Sequence, residues 1–188
     1  MKKIMVTTIF CIAFLLNSCQ KNDDTSDKTV ANFSVSGYDR PAPCTINLIN
    51  SSKNATNYEW KLGDGTSSNN ANVTKIFTAI GTYYITLKVS GPKGTDSVCK
   101  ALTLDQPVTP NNSAFNYFMD KCTGTPVNVQ FYSINPQSRF HAWDFGEGTT
   151  SPEANPIVRF NIPGNYTIKY SSQIGTLRDT IIRAIQIF

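Results

Sequence analysis

The sequence predicts an all-β chain built as two tandem antiparallel β-sandwiches, and three observations predict it. A seven-residue stretch, Trp60-Lys61-Leu62-Gly63-Asp64-Gly65-Thr66, returns 83 residues later as Trp143-Asp144-Phe145-Gly146-Glu147-Gly148-Thr149. Apolar residues alternate with a period of two, and no stretch sustains a helical period. Gly, Pro, Asn and Ser interrupt the alternation at the spacing of short turns. Of the 188 residues, 40% are hydrophobic and 16% charged, a balance that fits packed cores and not a disordered chain.

The repeat sets the domain limits. The same offset carries Pro43 onto Pro126, Phe77 onto Phe160, Gly81 onto Gly164, Tyr83 onto Tyr166 and Ala101 onto Ala184. One offset held over roughly 60 residues marks two copies of one structural unit. The units are expected over 31–104 and 113–188, joined by a linker over 105–112 whose two prolines make it short and semi-rigid. The chain stops at Phe188 within the last expected strand, so no further module is expected.

Within each unit the strands follow from alternation. Tyr83, Ile85, Leu87 and Val89 share one face, and Asn165 to Tyr170 alternates in the same phase. Tyr58, Trp60 and Leu62 form a second stripe, matched by His141, Trp143 and Phe145. Ile46 with Leu48, and Val129 with Phe131, supply two more half-buried strands. Several short strands with one dry face each are most economically satisfied by two packed antiparallel sheets.

The first eighteen residues have another purpose. Met1-Lys2-Lys3 is a short positive segment, and Ile4 to Leu16 carries no charge. Thirteen residues reach about 20 Å as a helix, short of the ~20 residues that a membrane span needs. The stretch 1–18 reads as a secretory signal. Leu16-Asn17-Ser18-Cys19 resembles the lipobox of bacterial lipoproteins. That resemblance implies cleavage before Cys19 and acylation of its sulfur and amine, and several acyl chains make a stable anchor. Gln20 after the cysteine is similar to an outer-membrane address. Lys21-Asn22-Asp23-Asp24, in the tether over 19–30, reads either as a surface-export signal or as an ordinary soluble linker. Without Lys2 and Lys3 the charge falls from +4 to +2. No basic run remains to steer nucleic acid, so no nucleic-acid partner is expected.

Together, W-x-L-G-D-G-T, an edge phenylalanine and G-T-Y-x-x-T-L-x-V resemble the PKD domain, an Ig-like module. The resemblance implies an Ig-like sandwich for each unit and an extracellular interaction role. Lys61 and Leu62 stand where the family has Asp and Phe, and Glu147 replaces the motif's second Asp.

Most of the motif residues have structural explanations. Gly63-Asp64-Gly65 and Gly146-Glu147-Gly148 suit a turn that needs positive φ, with the carboxylate bonding turn amides. Calcium takes six to eight oxygens, and these loops offer too few carboxylates, so no metal or other cofactor is expected. Trp60 and Trp143 read as core residues. Tyr83 and Tyr166 resemble tyrosine corners, whose hydroxyls bond backbone near a sheet turn. His141, the single histidine, reads as a packed side chain. No nucleophile elbow, zinc motif or carboxylate pair accompanies it, so no catalytic residue is named and no enzymatic activity is expected.

Cys44, Cys99 and Cys122 remain after the signal and the lipidated Cys19 are set aside. Cys44 and Cys99 lie in one unit. They are either bridged, worth roughly 4 kcal/mol in the chain-entropy model, or two small buried thiols. PKD modules often pair a cysteine at the place of Cys122 with one near the last hairpin. Gly175-Thr176-Leu177-Arg178 offers none, which implies a free Cys122. Asp96-Ser97-Val98 and Asp179-Thr180-Ile181 resemble a short O-glycosylation pattern, or simply strand starts.

Alternation places Tyr84, Tyr132 and Phe140 on solvent faces, where aromatic rings can stack on sugars or anchor a protein partner. The expected function is therefore a non-catalytic lipoprotein of the outer membrane and cell surface that binds glycan or protein ligands. The alternative is a structural spacer or a subunit of an outer-membrane assembly.

Overall fold

The structure, a computed structural model, describes residues 28–105, 113–135 and 137–188. The expected signal segment, Cys19, most of the tether and most of the linker lie outside the described residues. The first unit contributes β1 (Phe33–Ser36), β2 (Cys44–Asn50), β3 (Asn57–Lys61), β4 (Ser67–Ser68), β5 (Val73–Phe77), β6 (Gly81–Gly91) and β7 (Gly94–Leu104). The second contributes β8 (Phe115–Met119), β9 (Val127–Ser133), β10 (Phe140–Asp144), β11 (Thr150–Ser151), β12 (Ile157–Phe160), β13 (Gly164–Ile174) and β14 (Leu177–Ile187). Among the described residues there is no helix, hence none long and apolar enough to cross a membrane.

Each unit is an Ig-like sandwich of two antiparallel sheets. In the first, β1-β2-β5 packs on β7-β6-β3-β4; in the second, β8-β9-β12 packs on β14-β13-β10-β11. The strands correspond one to one at the offset of the sequence repeat. The exception is β8, where Phe115 takes the place of Phe33 after 82 residues.

The alternation read from the sequence fills the two cores. Phe33, Ile46, Leu48, Trp60, Ile85 and Leu87 are fully buried in the first. Phe115, Val129, Phe131, Trp143, Ile168 and Tyr170 fill the second. Each tryptophan lies edge-on to the phenylalanine of its unit's first strand, with centroids 5.0 Å apart for Phe33–Trp60 and 5.2 Å for Phe115–Trp143. Such edge-to-face pairs add roughly 0.5–1.5 kcal/mol beyond area burial.

The units are not separate beads. β7 pairs with β8, Ala101 opposite Met119, Leu102 opposite Phe118 and Thr103 opposite Tyr117. The large sheet therefore runs β12-β9-β8-β7-β6-β3-β4 through both units. Ala101, on the first unit's last strand, belongs to the second unit's core, while Phe118 and Tyr132 pack against the first. Asn116 sits in the joint, fully buried. Its Nδ2 donates to Tyr38 O at 2.7 Å and Arg40 O at 2.8 Å, and its Oδ1 accepts from Asp105 N at 2.6 Å. The Arg183 guanidinium meets the Asp105 carboxylate at 3.0 Å.

A disulfide crosses the joint and corrects the expected pairing. Cys99 is bridged to Cys122, with Cα atoms 5.4 Å apart, and Cys44 is a buried free thiol. Neither a Cys44–Cys99 bridge nor a free Cys122 is present. Alternation along β7 explains it: Leu102 and Leu104 face the first core, so Cys99 shares the opposite face with Ala101, turned toward the second unit. Cys44 points into the first core, on the other side of that sheet. Burial pushes its thiol above the ordinary range, which leaves it little thiolate to react.

Candidate functional site

The sheet that buries Trp60 and Leu87 presents its other face to solvent. Alternation brings Asn57, Glu59 and Lys61 of β3 onto that face beside Tyr84, Thr86, Lys88 and Ser90 of β6. In register, Glu59 lies opposite Lys88 and Asn57 opposite Ser90. An open groove of about 830 Å³ follows this face, lined among others by Asn57, Glu59, Lys61, Asn69, Lys88 and Thr95.

Its lining is polar and only loosely prepaired. Asn57 Nδ2 donates to Ser90 Oγ at 3.3 Å and to Thr56 Oγ1 at 3.2 Å. The Lys88 ammonium stands 3.9 Å from Glu59 Oε2, with both side chains more than half exposed. Such a pair costs little to open, since exposed ion pairs are worth about 0–1 kcal/mol. The groove thus offers amides, hydroxyls, one carboxylate and two ammonium groups to a polar ligand. Among its lining residues there is no histidine or cysteine.

The three expected ligand-contacting aromatics are not brought together. Tyr84 is 47% exposed and stands on the groove's face of β6, beside the groove and not in its lining. Phe140 is 37% exposed and lies in the other unit. The Arg178 guanidinium covers its ring at 4.5 Å, in a cleft of about 420 Å³ shared with Gln137, Arg139 and Gln173. Tyr132 is not on a solvent face. It packs edge-on to Tyr38 at 4.2 Å, because the first unit abuts the outer face of β9. Burial, with the Tyr132 hydroxyl alongside, pushes the Tyr38 phenol well above its ordinary range.

The motif residues hold the frame. Trp60 Nε1 donates to Asn70 O and Trp143 Nε1 to Glu153 O, both at 2.8 Å. Tyr83 donates to Ala79 O at 2.8 Å and Tyr166 to Ile162 O at 2.9 Å, each four residues back. Gly63 and Gly65 have φ of 81° and 86°, and Gly146 and Gly148 of 85° and 80°. A side chain at Gly63 would also press on the Tyr84 amide, at 2.7 Å. Asp64 Oδ1 accepts from Thr66 N at 3.0 Å and from Thr66 Oγ1 at 2.6 Å. Glu147 takes the same place with a φ of 50°.

His141 is half-buried and hydrogen-bonded through Nδ1 to the Tyr170 hydroxyl at 2.8 Å, and burial lowers its basicity. Among the described residues no group of three or more His, Cys, Asp or Glu is placed to hold a metal ion. Asp96 and Asp179, the first residues of the two glycosylation-like triplets, each tie down the start of a unit. Asp96 accepts from Ala31 N at 2.8 Å and Asp179 from Ser113 N at 2.6 Å.

Fold and frame together define a protein of tandem Ig-like sandwiches. Residues 19–105 match the family model of the PKD domain, and the second unit repeats the strand order of the first. Among solved structures, the chain is similar to the PKD1 domain of the Vibrio cholerae metalloprotease PrtV, with 27% identity, 42% of this chain and 99% of that one covered, and a TM-score of 0.37. The PKD1 domain of Vibrio anguillarum Epp matches with 24% identity over 43% of this chain and 96% of that one, at a TM-score of 0.37. A carbohydrate-binding module of the β-sandwich superfamily matches with 11% identity over 86% of this chain and 85% of that one, at a TM-score of 0.42.

The joint is the feature that sequence reasoning missed. Asn116, Tyr38 and the Cys99–Cys122 bridge have no equivalents at the repeat offset, so a search for repeated residues passes over them. The signal that could have found them is the phase of β7, which turns Cys99 and Ala101 away from the first core.

Proposed function

We propose that the protein is a non-catalytic binding module, anchored through an acylated Cys19 in the outer membrane and displayed at the cell surface, that takes an extended polar ligand of the glycan class. The observation that carries the reading is the polar groove over β3 and β6 with Tyr84 beside it. Amide, hydroxyl and charged groups spaced along a sheet face suit sugar hydroxyls, and an aromatic ring beside them can stack on a sugar face. The sequence around Cys19 supports the anchor.

The test is binding of residues 20–188, which retain every described strand, to a broad glycan array. The expected result is a saturable signal that falls at least about tenfold in Lys88→Ala, Asn57→Ala or Tyr84→Ala, a loss of roughly 1.4 kcal/mol each. A folded protein that binds no glycan would overturn the reading. The mass of the protein isolated from its native membrane tests the anchor: acyl chains on Cys19 are expected, and an unmodified Cys19 would refute them.

A second reading is favoured by the joint. A continuous sheet, a disulfide and a buried amide lock the two sandwiches into one stiff body. That suits a spacer or a subunit of an outer-membrane assembly. Cross-linked pull-down from native membranes that recovers a stoichiometric envelope partner would move the assignment there.

A further inference from the structure

β7 and β14 are the same strand of the repeated unit, and among the described residues only β7 is paired on both edges. β7 has β6 on one edge and β8 on the other, whereas among the described residues β14 pairs with β13 alone. Ala101 on β7 is fully buried, while its counterpart Ala184 on β14 is exposed. Ile182, the counterpart of Cys99, is 65% exposed.

Natural edge strands are usually blunted by outward charges, proline, bulges or shortness. β14 has none of these along its last six residues. It pairs with β13 without a break over eleven residues. Its outward positions from 182 onward are Ile182, Ala184 and Gln186, followed by Phe188 just past the strand. The one charge in this stretch, Arg183, is turned aside: its guanidinium donates to Phe115 O at 3.0 Å and pairs with Asp105.

What covers such an edge is visible in the same molecule. β8 lies on β7 with Tyr117, Phe118 and Met119 along the paired stretch. A second copy's β1 lacks that chemistry. Ser34 and Ser36 stand where β8 has Asn116 and Phe118, and Gly37, with φ of 91°, stands where β8 has Met119. We propose that the open edge of β14 is a strand-addition site. It takes an extended segment of a partner polypeptide, apolar or aromatic along the paired stretch, as β7 takes β8. Main-chain hydrogen bonds supply the affinity of such additions, and the alternate side chains supply selectivity.

The test uses residues 20–188 and, as probe, a synthetic peptide of β8 itself, Ser113 to Lys121. Saturable binding is expected, with slowed hydrogen exchange at the amides of 182–187. The same peptide carrying Tyr117→Pro cannot form a regular strand and is expected not to bind. Ile182→Lys places a charge on the exposed edge and is expected to weaken binding at least about tenfold while leaving thermal unfolding unchanged. Gln186→Lys gives a second, independent block. Absence of binding up to the peptide's solubility limit would overturn the proposal. So would equal binding of the proline peptide, or exchange protection confined to other strands. Self-association through β14 that the peptide cannot displace would overturn the choice of a partner polypeptide as the occupant.

Discussion

In the first unit Lys100 reaches across the sandwich to Phe33 O and lies 5.0 Å from the Phe33 ring; in the second Arg183 does the same to Phe115, at 5.3 Å. The indole, tyrosine and aspartate contacts are duplicated too, down to the partner backbone atom. The residues at the joint are not. Asn116, Tyr38, Cys99 and Cys122 correspond to nothing similar at the other end of either unit. Repeated residues thus specify the sandwich, and unrepeated residues specify how the two sandwiches are fixed together.

The largest effects belong to the repeated core. Trp60→Ala and Trp143→Ala each remove a buried indole, its hydrogen bond and its edge-on phenylalanine contact, at a cost of about 3–5 kcal/mol. Because Ala101 belongs to the second core and Phe118 packs on the first, either substitution is expected to shift one common unfolding transition in urea. A first-unit transition left in place by Trp143→Ala would show that the units fold separately.

The joint comes next. Cys99 and Cys122 are 23 residues apart in sequence, and the chain-entropy model gives their bridge about 3 kcal/mol. Replacing both with serine is expected to lower stability by that order, whereas blocking Cys44 requires unfolding first. Alkylation of unfolded, unreduced residues 20–188 is expected to label one thiol. Three labelled thiols would remove the bridge from the comparison. Asn116→Ala removes the acceptor of the Asp105 amide and the donor to two backbone carbonyls at a fully buried position, and is expected to cost about 2 kcal/mol. Ser34→Ala, at the matching place of the first unit, is expected to stay within about 0.5 kcal/mol because Ser34 is exposed. Equal costs for the two would mean that the joint amide has no special role.

How far the sequence could be read follows the same division. Trp60, Tyr83 and their repeats announce the sandwich because a period of two and a fixed offset are local signals. The Cys99–Cys122 bridge depends on β7 pairing with β8, a contact between units that no local period encodes. Tyr132 illustrates the limit most sharply. Alternation correctly turns it away from its own core, but it cannot say that another unit waits on that side. The groove is legible in part: Asn57, Glu59, Lys88 and Ser90 alternate outward in the sequence, while their meeting on one face needs the β3–β6 register.

In the glycine turns, where the two units diverge in charge, substitutions are expected to cost least. Lys75 Nζ pairs with Asp64 Oδ2 at 2.8 Å, and the second unit has Val158 at the place of Lys75. Burial alone would raise the Asp64 carboxyl. The hydrogen bonds from Lys75 and Thr66, with the lysine charge, outweigh it and hold the carboxyl at about 2. An unfolded aspartate titrates near 3.9. A carboxylate lowered by folding stabilises the fold above the unfolded value and loses that contribution as pH falls from about 4 toward 2. The turn is solvent-exposed, so the size expected is that of a surface pair, below about 1 kcal/mol. Urea titrations of Asp64→Asn against the parent between pH 6 and 2 are expected to converge at the acid end. Lys75→Met should remove most of the difference. Installing the pair in the second unit, with Glu147→Asp and Val158→Lys together, should add a similar acid-sensitive increment there. If it adds none, the two turns differ in backbone shape as well as in charge, and the positive φ at Glu147 becomes the place to look.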